Sequence, residues 1–429
     1  SLMLFRTAIL IYNLALPLLF LVAFPAWLIK MWKRGGYGTG LLERLAIFKG
    51  PASDRSKGGI YVHAVSVGET LIATKLLDAL LEHSPNEKII LAATTATGHE
   101  VARKWAAPNN QVTVIYSPVD FPWVVRKTFK RFSPRQIVLI ESEVWPNMLR
   151  VAKRMDMAIV MANARLSARS ERRFLKLSAV VRPLYNMIDH VCVQSEIDAA
   201  RFRNLGVLEE KIHLTGSIKF DPQNGTQPQK REEFQDIIND FGVSRPIILT
   251  ASTHAGEEAL IGKQIRESLP NALAVIVPRH AERRGEVVAD LQSCGYTPIL
   301  RTAYNTPSHP QDACLVIDTT GELRDWTAHA DVVIIGKSWL GEGGQNPAEA
   351  IMAGVPLVCG PNMQNFEPLM TELRNAKGVK MLDSAGALPA ALSELVGNTT
   401  LTKQITDSAK EVLASHSEAV EKTLQLLDL

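Results

Sequence analysis

Cysteine is scarce in this chain, with four in 429 residues, and Cys192, Cys294, Cys314 and Cys359 form no Cys-x-x-Cys pair. Four cysteines far apart argue against a disulfide scaffold or a zinc ribbon, and the usage fits a reducing compartment. The sequence also has no His-Glu-x-x-His and no Gly-x-Ser-x-Gly, which removes the usual zinc-peptidase and serine-hydrolase layouts. No Asp-x-Asp pair occurs, so the simplest carboxylate pair for a divalent metal on a nucleotide diphosphate is missing. Two near-matches to a phosphate-binding loop fail. Gly336-Lys337-Ser338 has Asp331 where the first glycine belongs, and 256–263 (GEEALIGK) has one residue too many between its glycines and Gln264 after its lysine. Disorder is excluded by 46% hydrophobic and 21% charged residues. At roughly 150 residues per domain the length allows two or three domains.

Charge is unevenly spread. Residues 1–219 hold 30 Lys and Arg against 17 Asp and Glu, net +13, and residues 220–429 hold 17 against 27, net −10. A cationic front half points to an anionic partner there: a membrane surface, nucleic acid or a phosphorylated substrate.

Residues 8–29 (AILIYNLALPLLFLVAFPAWLI) carry no charge over 22 positions, long enough for a helix to cross a hydrocarbon core of about 30 Å. A membrane helix tolerates Pro17 and Pro25. Trp27 and Trp32 mark an interface, and Lys30, Lys33, Arg34 and Arg44 come after the run while only Arg6 precedes it. The positive-inside rule then sets the chain beyond residue 30 in the cytoplasm. A cleaved signal peptide is the competing reading. The run is longer than a usual signal core and its C-terminal flank is basic, so a retained anchor is expected; a helix lying in the interface is equally compatible.

Beyond it, short β-rich runs alternate with helical patterns. Strands are expected at 59–65, 88–94, 111–117, 136–142, 157–163, 190–195 and 212–216, then at 246–252, 273–279, 297–301, 313–318, 332–337, 356–360 and 378–382. Runs such as IVLI and AVIV are apolar at every position, the pattern of parallel strands buried on both faces. The fold class is therefore α/β with doubly wound sheets. The polar stretch 221–231 (DPQNGTQPQKR) reads as a linker, and 402–428 as a last helical segment able to pack back on the first domain. Ligands of open α/β sheets bind beyond the carboxyl ends of the strands, so the post-strand loops carry the candidates.

HAVSVGET (63–70) comes directly after the first strand, with Val67 and Gly68 as a small turn and Glu69 opening a helix. Partial burial would suit Glu69 to general base work; a first-turn glutamate favoured by the helix dipole is the plainer reading. ESEVWPN (141–147) sets Glu141 and Glu143 two apart, pointing the same way in extended chain. TGSIKFD (215–221) brings Lys219 to the domain junction. In the second half ASTHAGEE (251–258), VPRH (277–280), DTTGEL (318–323) and GQNPAEA (344–350) supply backbone N–H groups, Arg279 and Glu349, a donor set for phosphate and ribose. Two basic stretches complete the list: 121–135, with Arg126, Lys127, Lys130, Arg131 and Arg135 beside Phe121, Trp123, Phe129 and Phe132, and 165–182, with Arg165, Arg169, Arg172, Arg173, Lys176 and Arg182. Beside a membrane segment they suit anionic lipid; no recognised nucleic-acid module occurs, so no nucleic acid is expected.

In this order HAVSVGET, ESEVWPN, ANARLSARS, TGSIKFD, VPRHAER, TGEL and GGQNPAEA resemble the bacterial 3-deoxy-D-manno-octulosonic acid (Kdo) transferases of lipopolysaccharide synthesis, over about residues 35–370. The resemblance implies a GT-B fold: an anchor over 1–34, an acceptor-binding Rossmann-like domain over 35–220, a donor domain over 221–400 and a closing helix over 401–429, with a cleft between the two domains. It implies inverting transfer of Kdo from CMP-Kdo to lipid IVA at the cytoplasmic side of the inner membrane, with no cofactor and no metal. It makes Glu69 the general base and Glu141 and Lys219 stabilisers of the transition state. It assigns CMP contacts to Pro278, Arg279, Gly321, Glu322, Leu323, Asn346, Pro347, Ala348 and Glu349, with Ser252 and Thr253 in the same pocket. Gln345 stands where the family pattern carries His. Arg126, Lys127, Lys130, Arg131, Arg165, Arg169, Arg172 and Arg173 would receive the lipid phosphates. A GT-B transferase for another nucleotide sugar, or a tethered protein that binds without turnover, are the alternatives.

Overall fold

The computed structural model describes residues 2–33, 39–50, 57–222, 227–242, 244–305 and 308–428. Arg34, part of the flank after the apolar run, and residues 223–226 of the expected linker lie outside the described residues, as do the side chains of Trp27, Lys30, Trp32 and Lys33. The chain divides into two units, one formed by residues up to Asp221 together with Glu418 onward, the other by Pro222–Ser417.

The first unit holds seven strands, β1 Ile60–Ala64, β2 Ile89–Ala93, β3 Val112–Tyr116, β4 Gln136–Ile140, β5 Ala158–Ala164, β6 His190–Val193 and β7 Ile212–Leu214. They form one parallel sheet in the order β3-β2-β1-β4-β5-β6-β7. The second holds β8 Ile247–Thr253, β9 Leu273–Pro278, β10 Thr297–Leu300, β11 Ala313–Val316, β12 Val332–Ile335, β13 Leu357–Cys359 and β14 Lys380–Met381, in the order β10-β11-β9-β8-β12-β13-β14, again parallel. Both are Rossmann-like doubly wound sheets, the two-unit composition of a GT-B protein. All fourteen strands coincide with the runs expected for them, mostly shorter by a residue or two at an end. Several of the chain segments beyond the strand ends still pair with a neighbour, as Thr94 N does with Ala64 O and Ser117 N with Ala93 O, without continuing the ladder.

Both faces of the first sheet are covered. Tyr61, Ile90, Ile137 and Ile159 face one core, and Ile60, Val62, Leu91 and Val138 face the other. Ala419, Val420, Leu424 and Leu427 pack into the second of these cores. One helix was expected over 402–428, but the chain breaks it. Thr399–Ala414 is a helix of the second unit, Glu418 takes φ 63°, and Ala419–Leu424 is a helix of the first. The cause is a cap supplied from far away: Asp221 Oδ1 accepts from Glu418 N at 3.3 Å and Oδ2 from Val420 N at 2.9 Å, so a new helix starts there.

The N-terminal apolar run forms a helix over Leu2–Lys33. Phe5 and Ile9 enter the first unit's core. Two of its polar residues also find partners on that unit: Tyr12 Oη donates to Asp120 Oδ2 at 2.9 Å, and Asn13 Oδ1 accepts from Asn147 Nδ2 at 2.7 Å. Leu2, Met3, Leu4, Leu10, Ile11, Leu14, Leu18, Leu19, Leu21 and Val22 stay exposed.

Asp120 is 1% exposed, and its Oδ1 and Oδ2 also accept from Met148 N at 2.8 Å and Asn147 N at 3.0 Å at the start of the helix Pro146–Arg154. Asp120→Ala strands three buried donors, each costing about 1–3 kcal/mol. It should lower the free energy of unfolding by about 3 kcal/mol or more, whereas Tyr12→Phe should cost about 1 kcal/mol. Denaturant titration in detergent micelles checks both; equal losses for the two variants contradict the shared role of Asp120.

Candidate functional site

In the first unit the site grows from the chain's exit from β1. Two residues after Ala64, Ser66 caps the helix Val67–His83 and its Oγ accepts from Glu69 N at 3.3 Å. Val67 and Gly68 therefore lie in the first helical turn instead of a separate one. Glu69 folds back over the cap, and its Oε2 accepts from Val65 N at 2.6 Å. The side chain is held in place with Glu69 only 8% exposed. Burial pushes its carboxyl up to about 7 from an ordinary 4.5; the neighbouring Glu143 and Glu141 push the same way, and the donors at Val65 and Ser66 oppose them. A carboxyl poised near neutrality at a strand mouth can accept a proton from a substrate hydroxyl.

Glu141 corrects an expectation. The extended chain that would aim Glu141 and Glu143 alike ends at Ile140: Glu141 takes φ 61° while its N–H still reaches Ala162 O at 2.9 Å. The chain must turn there to enter the helix at Pro146, so the two side chains leave a turn and not a strand. Burial raises the Glu141 carboxyl, and Arg165 and Lys219 pull it back down. Lys219 is itself lowered by burial and then by Arg165, with Glu141 opposing. Glu141, Lys219 and Arg165 are thus one electrostatic cluster. Behind it His63 is fully buried, its ring edge-on to Trp145 at 5.4 Å and its Nδ1 3.3 Å from Ser117 Oγ. Burial takes His63 down to about 4, so it stays neutral and props Trp145, whose Nε1 donates to Glu143 Oε2 at 3.3 Å.

The second unit carries a cavity of about 280 Å³ at the carboxyl edge of its sheet, where the strand order reverses between β8 and β12. Ser252, Arg279, Leu323, Asn346 and Glu349 line it, joined by Gln345, Thr327 and Phe366. Gly336 has to lack a side chain here, since a Cβ would lie 2.4 Å from Ser252 O. Arg279 is exposed, its backbone N–H on Thr253 O at 3.0 Å, and its guanidinium has no ion pair among the described residues. Burial raises the Glu349 carboxyl, with Arg324 opposing. Asn346 Oδ1 accepts from Ala348 N at 3.0 Å, starting the helix Ala348–Ala353.

The remaining expected contacts lie outside this lining and have local work. Thr253 Oγ1 donates to Glu258 Oε1 at 2.7 Å, and Glu322 pairs with Arg301 Nε at 3.3 Å and accepts from Trp326 Nε1 at 3.1 Å. Pro278 ends β9; Gly321, at φ 82°, precedes Glu322; Pro347 and Ala348 start the next helix. Phe366 and Thr327 carry no sequence signal because neither lies in a motif; only the fold brings them to the cavity.

Of the basic stretches, Arg126, Lys127, Lys130, Arg169, Arg172 and Arg173 all lie exposed on helix surfaces. Arg131 differs: its guanidinium lies 4.7 Å over the Phe48 ring and donates to Gly50 O at 3.0 Å. Arg165 is exposed but sides with Glu141 and Lys219. Among the described residues no group of three or more His, Cys, Asp or Glu could hold a metal ion.

A family profile for 3-deoxy-D-manno-octulosonic-acid transferase (kdotransferase) matches residues 39–222. The chain is 32% identical to the 3-deoxy-D-manno-octulosonic acid transferase of Haemophilus influenzae over 91% of each chain. It is 32% identical to that of Bordetella pertussis over 97% of this chain and 98% of the relative. UDP-GlcNAc 2-epimerase from Neisseria meningitidis, solved with UDP-GlcNAc, superposes with a TM-score of 0.53 at 13% identity, covering 86% of this chain and 100% of that one. That likeness is of fold alone.

The raised Glu69 carboxyl has a cost in stability. It binds its proton more tightly folded than unfolded, so stability falls as pH rises from about 4.5 to about 7 and stays reduced above. Glu69→Gln has no charge to bury. It should match the parent below pH ~4.5 and exceed it at pH ~8 by on the order of 3 kcal/mol. Calorimetric Tm values at both pH values test this; an unaltered difference between them contradicts it.

Proposed function

The chain belongs to the 3-deoxy-D-manno-octulosonic acid (Kdo) transferase family, and from that premise we propose that it moves Kdo from CMP-Kdo to lipid IVA, with inversion at the anomeric carbon and Glu69 as general base. The observation that carries this reading is the buried Glu69 carboxyl near neutrality, a proton acceptor at the end of β1. Glu69 takes the proton from the attacking glucosamine hydroxyl as the new glycosidic bond forms and the bond from Kdo to the CMP phosphate breaks.

The second unit's cavity suits the donor. CMP-Kdo carries a single phosphate, so one unpaired arginine, Arg279, is an adequate anion partner without a bridging metal. Glu349 is set to accept from ribose hydroxyls, and Leu323 and Phe366 offer apolar surface. As the phosphate leaves with negative charge, Arg279 stabilises it. Lys219 and Arg165 meet the Kdo carboxylate or the phosphate, and Glu141 keeps Lys219 oriented and charged. The surface residues Arg126, Lys127, Lys130, Arg169, Arg172 and Arg173 meet lipid phosphates at the cytoplasmic face of the inner membrane, where the N-terminal helix anchors the enzyme.

Incubation with CMP-Kdo and lipid IVA, read by mass spectrometry, tests donor and acceptor together; transfer from UDP-sugars alone would overturn the assignment. Glu69→Gln should lower kcat by on the order of 10²–10⁴ with CMP binding retained. Since only the ionised carboxylate accepts a proton, kcat/KM should fall on the acid side of about pH 7, roughly tenfold per unit. A flat profile, or wild-type rates for the variant, rules out this base. Arg279→Ala should weaken CMP binding by about tenfold or more in calorimetry; undiminished affinity means that the nucleotide lies elsewhere.

A further inference from the structure

A second cavity, of about 240 Å³, lies in the first unit between the N-terminal helix and the body. Phe20, Ala23 and Phe24 form its helix side, Val119 and Arg44 the other. The helix is fixed at this place by the Tyr12 and Asn13 bonds about two turns earlier and by Phe20 edge-on to Phe121 at 5.6 Å. The lining is carbon apart from Arg44. That guanidinium is held in place: Nη2 donates to Thr94 O at 2.5 Å, and Cζ lies 4.5 Å over the Tyr116 ring. Glu43 beside it accepts from Tyr116 N at 3.1 Å.

An apolar slot with one fixed cation at its wall suits an amphiphile with a hydrocarbon chain and an anionic group. Its position says which amphiphile. Thr94 N donates to Ala64 O at 3.3 Å and Thr95 N to Val65 O at 3.1 Å, while Val65 N donates to Glu69 Oε2. Arg44 is therefore one loop away from the segment that holds the proposed base. A phosphorylated glycolipid that brings a hydroxyl to Glu69 carries a phosphate and acyl chains on the same molecule, the two features that this slot and its cation match.

We propose that this slot takes one acyl chain of the phosphorylated glycolipid acceptor, with an acceptor phosphate drawn to Arg44, so that the enzyme selects acylated over bare sugar. The inference rests on the function proposed above and adds the residues that read the lipid part of the acceptor.

The test uses the full chain in detergent micelles with the acylated acceptor and its fully deacylated disaccharide bisphosphate. Ala23→Trp fills the slot from an exposed helix position; Leu19→Trp, on the 64% exposed outer face, puts the same ring into lipid. Ala23→Trp should cut the ratio of kcat/KM for acylated over deacylated acceptor by about tenfold, the scale of a few methylenes returned to water. Leu19→Trp should leave that ratio as in the parent. An unchanged ratio in Ala23→Trp, or equal loss on both acceptors, overturns the proposal. So does a variant that merely pellets less with anionic phospholipid vesicles while keeping the ratio, since the slot then holds bulk lipid. If the unmodified enzyme transfers Kdo to neither acceptor, the function reading itself fails and this inference falls with it.

Discussion

The chemistry of the first unit turns on a competition at one carboxyl. A parallel sheet needs a helical crossover after β1, and here the helix begins within three residues of the strand end. The first turn must find acceptors for its free N–H groups. Ser66 supplies one, and Glu69 reaches back past the cap to accept from Val65 N, which draws the glutamate inward. That same movement buries it among Glu141 and Glu143, and burial with like charge outweighs the amide donors. A solvated first-turn glutamate would be held below its ordinary range by the helix dipole; this one is held above it.

The two sheets divide the labour by the sign of local charge, against the sign of their halves. The chain up to residue 219 is net +13, yet its strand ends gather Glu69, Glu141 and Glu143 together. The remainder is net −10, yet its cavity offers an unpaired arginine. The two scales answer different demands. Net charge acts at a distance, through a potential that draws an anionic surface. Local charge acts within a few ångströms, where burial amplifies it. A cationic half is free to hold an acidic cluster because Arg126, Lys127, Lys130, Arg169, Arg172 and Arg173 lie on exposed helix surfaces and none of them is among the charges that act on Glu69.

Most of the fold was legible because fully buried parallel strands leave short runs such as IVLI and AVIV, apolar at every position and alternating with longer helical patterns. The strand-end positions of Glu69 and Arg279 were legible because each follows such a run within a few residues. What the sequence hid was set by contacts far along the chain. Asp221 splits the last helix from nearly two hundred residues away. Glu141 turns with φ 61° to feed a helix that starts five residues later. Arg165 reads as part of a basic run until the sheet sets it beside Glu141 and Lys219. Phe366 and Arg44 carry no motif at all; each matters only through what the tertiary fold sets opposite it.

The N-terminal helix extends this lesson to the membrane. By composition it is an uncharged span, and composition treats its surface as uniform. Its surface is two-sided: Phe5, Ile9, Tyr12, Asn13 and Phe20 meet protein, while Leu10, Leu14, Leu18, Leu21 and Val22 face outward. In hydrocarbon a tyrosine hydroxyl and an asparagine amide each need a partner, and here both partners belong to the globular body. The helix therefore meets protein along one side and leaves an apolar side uncovered. Whatever covers the outer leucines is thereby brought next to Asp120 and Asn147 on the first unit. The same two polar residues that weaken the run as a membrane span tie it to Asp120 and Asn147 on the first unit.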